Sequence, residues 1–102
     1  DHQERYADAE GYYLTALSLD PRNGNICADL GYSYLLQKKW MQAERYLNQS
    51  LQIDPTNDKA VDHLAEVYVN EGQPQLAERT LLQSLPRDQA QARLAALMSG
   101  QN

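Results

Sequence analysis

Few residues of this chain could do chemistry by type and spacing, and the nearest to a cluster is Asp62, His63 and Glu66. His63 and Glu66 stand three apart, so on a helix both leave one face and could share a metal ion. A transition-metal site needs further donors, and no second His or Cys stands at ligand spacing from this pair. The group therefore reads as a polar surface, with no metal and no cofactor expected. His2, near the chain end, is expected to be solvated. Cys27 is the single cysteine and has no internal disulfide partner; a small buried apolar role suits it better than a reactive thiol or a ligand. No serine has a His and Asp arrangement that spacing can identify. The five glycines stand singly, without the pattern of a phosphate-cradling loop. The chain is not expected to be an enzyme.

The elements that must position these residues follow from the apolar spacing. At 102 residues the chain is one domain at most. It has no Phe and seven Tyr, so Tyr must supply the large-ring packing. A first helix over residues 1–19 is predicted from Tyr6, Ala9, Tyr13, Ala16 and Leu17, which follow three- and four-residue steps. Pro21 cannot continue its hydrogen-bond ladder, and Asn23-Gly24 is turn chemistry. Helices are predicted next over residues 25–37, 40–53, 58–70 and 74–85. The third is ended by Asp54-Pro55-Thr56-Asn57 and the last by Pro86. Gly72 suits a left-handed cap and Pro74 a first-turn position. Asp88 is expected to be the N-cap of a final helix over residues 89–99, with Ala90, Leu94, Leu97 and Met98 on one stripe.

These segments repeat. Residues 24–57 carry Cys27-x-x-Leu30-Gly31-x-x-Tyr34, then Ala43-x-x-x-Leu47, then Pro55. Thirty-four residues on, Leu30, Tyr34, Ala43, Glu44, Arg45, Leu47 and Leu51 recur as Leu64, Tyr68, Ala77, Glu78, Arg79, Leu81 and Leu85. In the other direction Ala43, Glu44, Leu51, Asp54 and Pro55 match Ala9, Glu10, Leu17, Asp20 and Pro21. The pattern closely resembles the tetratricopeptide repeat, a helix pair that stacks into a solenoid. The resemblance implies an all-α fold: a right-handed α-solenoid of antiparallel helix pairs with a C-terminal capping helix. It divides the chain into the second helix of a partial repeat (1–23), a complete repeat (24–57), a modified repeat (58–87) and the cap (88–102). It also supplies a reason for Gly31, which costs about 1 kcal/mol of helix propensity against Ala: the two helices of a repeat cross closely at this position. Ala65 stands at the same place in the next copy.

In proteins of this kind the first helix of each repeat lines a concave groove. Carried over position by position, the groove would be Asn25, Ala28, Asp29, Tyr32, Leu35 and Leu36, followed by Lys59, Asp62, His63, Glu66, Val69 and Asn70. The implied function is noncatalytic binding of a peptide or helix of a protein partner, as a scaffold or adaptor. One familiar use of the fold grips an acidic chain terminus with Lys, Arg and Asn. Here Asp29, Asp62 and His63 occupy or adjoin those places and only Lys59 keeps a suitable charge, so a basic or neutral segment is the expected ligand. Nucleic acid is not expected as a partner, because the net charge is −5 and the nine basic residues are scattered. No apolar run reaches bilayer-spanning length, so no membrane insertion by this segment is expected.

A second candidate surface is the open end, where Tyr6, Tyr13 and Leu17 lack the preceding helix of their repeat. Upstream sequence is their expected cover, and a homodimer through the same face is the alternative. Leu30-Gly31-Tyr32-Ser33-Tyr34-Leu35-Leu36-Gln37 and Leu81-Leu82-Gln83-Ser84-Leu85 are similar to repeats of bacterial tetratricopeptide proteins, including lipoproteins that assist pilus assembly. That similarity implies, as the alternative function, a structural or assembly subunit of a pilus or secretion system. A cytoplasmic or a bacterial periplasmic domain is compatible with either reading.

Overall fold

The computed structural model describes residues 2–100; the expected solvation of the His2 side chain lies outside what is described. Six helices follow one another: α1 (His2–Leu19), α2 (Gly24–Leu36), α3 (Trp40–Ile53), α4 (Asp58–Asn70), α5 (Pro74–Leu82) and α6 (Arg87–Ser99). No strand occurs among the described residues. Each helix packs antiparallel on the next, as short polar turns require. Helix α4 also touches α2 and α6, whereas α1, α3 and α5 do not touch one another. The chain is thus two layers, an inner one in which α4 touches both α2 and α6 and an outer one of α1, α3 and α5 splayed apart, so the inner layer is the concave side.

The helix starts follow their capping residues. Asn23 and Asn57 have extended backbone, and their side-chain oxygens accept from Ile26 N and Ala60 N, each at 3.1 Å. Each satisfies one of the orphan donors of a first turn. Asn57 Nδ2 also donates to Asn25 Oδ1 at 3.0 Å, tying the start of α4 to the start of α2. With Asn23 as the cap, α2 begins at Gly24, one residue earlier than the spacing predicts, and it ends one residue earlier, at Leu36.

The ends of α2 and α4 are one motif. Lys39 N reaches Tyr34 O at 3.0 Å and Lys38 N reaches Leu35 O at 2.9 Å; Gln73 N and Gly72 N repeat this on Tyr68 O and Val69 O. This is the Schellman arrangement, which needs a left-handed residue just past the cap. Gly72 fills that position with φ +75°, and Lys38 fills it with φ +61°. A side chain in that region costs about 1–2 kcal/mol.

Two expectations at the C-terminal end are corrected. Helix α5 stops at Leu82 rather than Leu85, and residues 83–84 form a turn in which Ser84 N and Leu85 N both reach Leu81 O. The residue before a proline is driven out of the α region, so Pro86 loosens the turn ahead of it. Asp88 is not the N-cap of α6. Pro86 holds that position with φ −58° and ψ 156°, and Asp88 lies in the first turn, where its carboxylate accepts from Gln89 N at 3.0 Å. The expected stripe is corrected at Met98, which is 48% exposed while Ala90 is buried and Leu94 and Leu97 pack on the core. Leu94 and Leu97 continue the face begun by Ala90, and Met98 is one step round the helix from it.

The core runs through both layers. One part joins Ala28 and Leu35 of α2, Ala43 and Leu47 of α3, and Ala60, Leu64 and Val67 of α4. The other joins Val61, Ala65 and Val69 of α4 to Ala77 and Leu81 of α5 and Ala90 of α6. Leu51 and Tyr68 pack against both, so the two parts are continuous. Cys27 is fully buried, and burial pushes its thiol above the ordinary value. Ser50, also buried, donates from Oγ to Gly24 O at 2.7 Å, bolting α3 to the start of α2.

The tightest contact is at Gly31. A Cβ there would lie 2.6 Å from Leu47 Cγ and 3.3 Å from Ala43 O. Leu47 Cγ is a branch point in a buried side chain, so it cannot simply swing away. Ala65, at the same place in the next helix pair, is fully buried, so α4 and α5 leave room for one methyl group.

Gly31→Ala should therefore lower stability by about 1 kcal/mol in chemical denaturation even though it raises helix propensity, because overpacking costs about 1–3 kcal/mol. A net gain would disprove the close crossing. At the helix ends, Lys38→Gly should be neutral or stabilising by up to about 1 kcal/mol, and Gly72→Ala destabilising by about 1–2 kcal/mol. Equal effects at the two positions would contradict their shared geometry.

Candidate functional site

The inner layer presents one row of side chains from each of its helices. Tyr32 of α2 and His63 of α4 meet across the helix boundary, with ring centroids 4.3 Å apart and planes inclined by 21°. Tyr32 remains 40% exposed, so the pair is a flat platform at the middle of the concave face. Offset stacking of this kind holds both rings in place and leaves one π-face for a ligand. Asp29 lies one turn before Tyr32, and Asp62 and Glu66 flank His63 on α4.

The platform is electrostatically mixed. Arg93 Nε of α6 donates to Asp62 Oδ1 at 3.4 Å, spanning the inner layer between α4 and α6. Burial pushes the His63 imidazole below its ordinary value of 6.5; Arg93 and Lys59 act in the same direction, and Asp62 and Asp29 oppose. Burial likewise holds the Glu66 carboxyl above the usual carboxylate value, with Asp62 adding to the rise and Arg93 opposing it. His63 is thus biased toward the neutral ring.

Arg93 was not among the residues expected here. A signal for it exists: Ala90, Leu94 and Leu97 of α6 have the spacing of Ala60, Leu64 and Val67 in α4. Aligning the two places Arg93 at the position of His63. The different entry to α6, through Pro86 rather than an Asn cap, hides this register.

The expected groove residues do not all reach the surface. Ala28, Leu35 and Val69 are buried, the first two in the core cluster that includes Ala60 and Val67 of α4 and the third in the one that includes Ala90 of α6. An inner helix is covered by its inner neighbours as well as by the outer layer, which narrows its free arc. Asn25 is exposed but accepts from Asn57. Asn70 is exposed, and its amide donates to its own helix at Glu66 O, 2.8 Å away. Asp29, Leu36 and Lys59 are exposed.

The open-end set lies on α1, beside α2. Tyr6, Tyr13 and Leu17 are half-buried on the side of α1 that faces α2, the helix on which α1 packs. The most exposed large apolar residues of α1 are Tyr12 and Leu19, at 70% and 83%. Tyr12 and Leu19 are seven apart, two full turns, so they share a face that neither Tyr6 nor Tyr13 joins.

Among the described residues no three His, Cys, Asp or Glu side chains come together in a way that could hold a metal ion. No described helix is long and apolar enough to cross a membrane. No curated protein matches the chain in sequence. A family profile described as tetratricopeptide repeat matches residues 34–99, from the last turn of α2 to the end of α6. With helix pairs in two layers, a 34-residue register and a glycine crossing at the point the repeat demands, the chain belongs to the tetratricopeptide repeat family.

Proposed function

We propose that this chain is a noncatalytic binding module that holds a peptide or a helix of a protein partner on the concave face of α2, α4 and α6. Tetratricopeptide repeats generally mediate protein–protein interactions. The observation that carries the reading further is the stack of Tyr32 on His63, an exposed aromatic platform built jointly by two repeats. Aromatic anchors of this kind, held rigid in advance, contribute most to binding at interfaces. Asp29 and Glu66 flank the platform, while Asp62 is already engaged by Arg93. A ligand with a basic or neutral face complements this arrangement; an acidic tail meets two carboxylates and gains Lys59.

A second reading, a structural subunit of an assembly, draws on Tyr12, Leu19 and Met41. These outer-layer side chains are 70–83% exposed. Concentration-dependent assembly lost on Tyr12→Ser with Leu19→Ser in light scattering would favour it over the groove.

On a peptide array, basic and neutral sequences should bind more tightly than acidic ones. Tyr32→Ala and Glu66→Lys should each weaken the best basic peptide about tenfold, or roughly 1.4 kcal/mol. Preference for an acidic tail, weakened by Lys59→Ala, would sink the reading. The platform should also be pH-sensitive. Since the folded-state value of His63 is depressed, its contribution to stability is complete above its ordinary value of 6.5 and is lost as pH falls through the lower, folded-state value. His63→Gln should flatten the fall in melting temperature across that window. Glu66 acts in the opposite sense, its raised value favouring the fold at low pH and losing that contribution as pH rises.

A further inference from the structure

The outer layer carries positive charge that no nearby carboxylate balances. Between α3 and α5 runs an open trough of ≈ 370 Å³, walled by Asn48 and Gln52 on one side and by Arg79 and Gln83 on the other. Leu51 and Leu76, both half-buried, and the buried Leu64 give it an apolar floor. A second trough of ≈ 510 Å³ lies beside it, between Arg22 in the turn before α2 and the α3 stripe of Arg45, Asn48, Gln49 and Gln52. Asn48 and Gln52 belong to both, so the two form one channel crossing α3. Among the described residues no carboxylate lines either trough, on a chain with 14 Asp and Glu and a net charge of −5. Arg22, Arg45 and Arg79 are exposed, and none of them is in an ion pair among the described residues. The carboxylates close to them in sequence are held or turned away. Asp20 accepts from Asn23 Nδ2 at 3.1 Å, Glu44 from the Tyr68 hydroxyl at 3.4 Å and Asp54 from Thr56 Oγ1 at 2.6 Å. Glu78, next to Arg79, leaves α5 in a different direction.

The pattern repeats with the fold. Arg45 and Gln49 recur 34 residues on as Arg79 and Gln83, so α3 and α5 each offer one guanidinium fork and, a turn later, one amide. A guanidinium takes a carboxylate through two parallel hydrogen bonds, and a Gln side chain both donates to and accepts from a peptide backbone. Helices α3 and α5 do not touch, so their axes stand farther apart than the about 8–10 Å of packed helices. An extended chain covers such a gap in about four residues at roughly 3.3 Å each, and its side chains at every second position share a face. Two carboxylates four residues apart therefore reach the two arginine rows, while the side chain midway between them lies over Leu51 and Leu76.

We propose that this channel binds an extended acidic segment of a partner protein, of the form acidic-x-apolar-x-acidic, with one carboxylate on Arg45 and Arg22 and the other on Arg79. The surface lies on the convex side, away from the Tyr32 and His63 platform, and is a second interaction site beyond the concave one. Its charges stand in water and are screened by salt, so the acidic segment binds more weakly here than a basic peptide does on the platform. A nucleic-acid strand is a poorer match, because tracking a phosphate chain takes more basic residues than these three.

The test uses the 102-residue chain and, as probe, a fluorescent Gly-Glu-Ala-Leu-Ala-Glu-Gly peptide. In fluorescence anisotropy at low salt the probe should bind saturably, and an analogue with Gln in place of both Glu should bind about tenfold more weakly. Arg45→Glu and Arg79→Glu, both on the surface, should each weaken the probe about tenfold, and physiological salt should weaken it severalfold. NMR titration should move the side-chain amides of Gln49, Gln52 and Gln83 together. Tyr32→Ala and Lys59→Ala should leave probe binding unchanged, and Arg45→Glu should leave basic-peptide binding at the platform unchanged, so the two sites stand or fall separately. No binding at millimolar probe, equal binding by Arg45→Glu, or weakening by Lys59→Ala would overturn the proposal. So would a single-stranded oligonucleotide that displaces the probe at lower concentration than the unlabelled peptide does, or a dimer of the chain alone that Arg45→Glu dissolves, since the occupant would then be nucleic acid or a second copy.

Discussion

The structure depends on how closely α2 can lie over α3. With no Cβ at position 31, the α2 backbone rests on Leu47 and the carbonyl of Ala43. That approach buries Cys27, Leu30 and Leu47 completely and brings Ser50 Oγ to 2.7 Å from Gly24 O. The helix pair is thus fixed at two points, one apolar and one hydrogen-bonded. A helix held at both places cannot rotate about its axis, and this directs Tyr32 to the inner side. The loss of helix propensity at glycine, about 1 kcal/mol, is offset by the apolar area this packing removes from water.

Curvature follows from the same packing. Inner helices meet because the side chains clustered between them are small or medium: Ala28 and Leu35 with Ala60 and Val67, and Val69 with Ala90. Outer helices carry Trp40, Tyr46, Leu51 and Leu76, and they are held apart. Bringing inner neighbours together puts an aromatic ring from one repeat on an imidazole from the next. It also brings Arg93 of the final helix to Asp62. The concave face therefore has a partly neutralised acidic character that no single repeat possesses.

Legibility differed along the chain for identifiable reasons. The limits of α3 and α4 agree with the spacing, because a Pro or Asn stop stands between them and each presents a strong amphipathic stripe. The join between α5 and α6 does not agree, because Pro86 acts twice, loosening the turn before it and capping the helix after it. Lys38 in the left-handed position is invisible to residue preference, which expects Gly or Asn; only its counterpart Gly72 reveals the shared motif. Of the groove positions, Tyr32 and His63 were marked by position in the repeat, but nothing in the residues says that their rings touch. Ala28, Leu35 and Val69 carry no mark that separates a groove wall from a core wall.

Periodicity and repetition along the chain determined that it would form helix pairs, where most turns fall, and that Gly31 marks a crossing. These are local properties, set by helix propensity, by caps and by the requirement that apolar residues share a face. Tertiary structure alone decided which of the inner side chains remain in reach of a partner, that Arg93 engages Asp62, and that the buried Ser33 hydroxyl has no hydrogen-bond partner among the described residues. Those outcomes depend on distances between helices, and such distances are the sum of many side-chain volumes contributed by segments far apart in the chain.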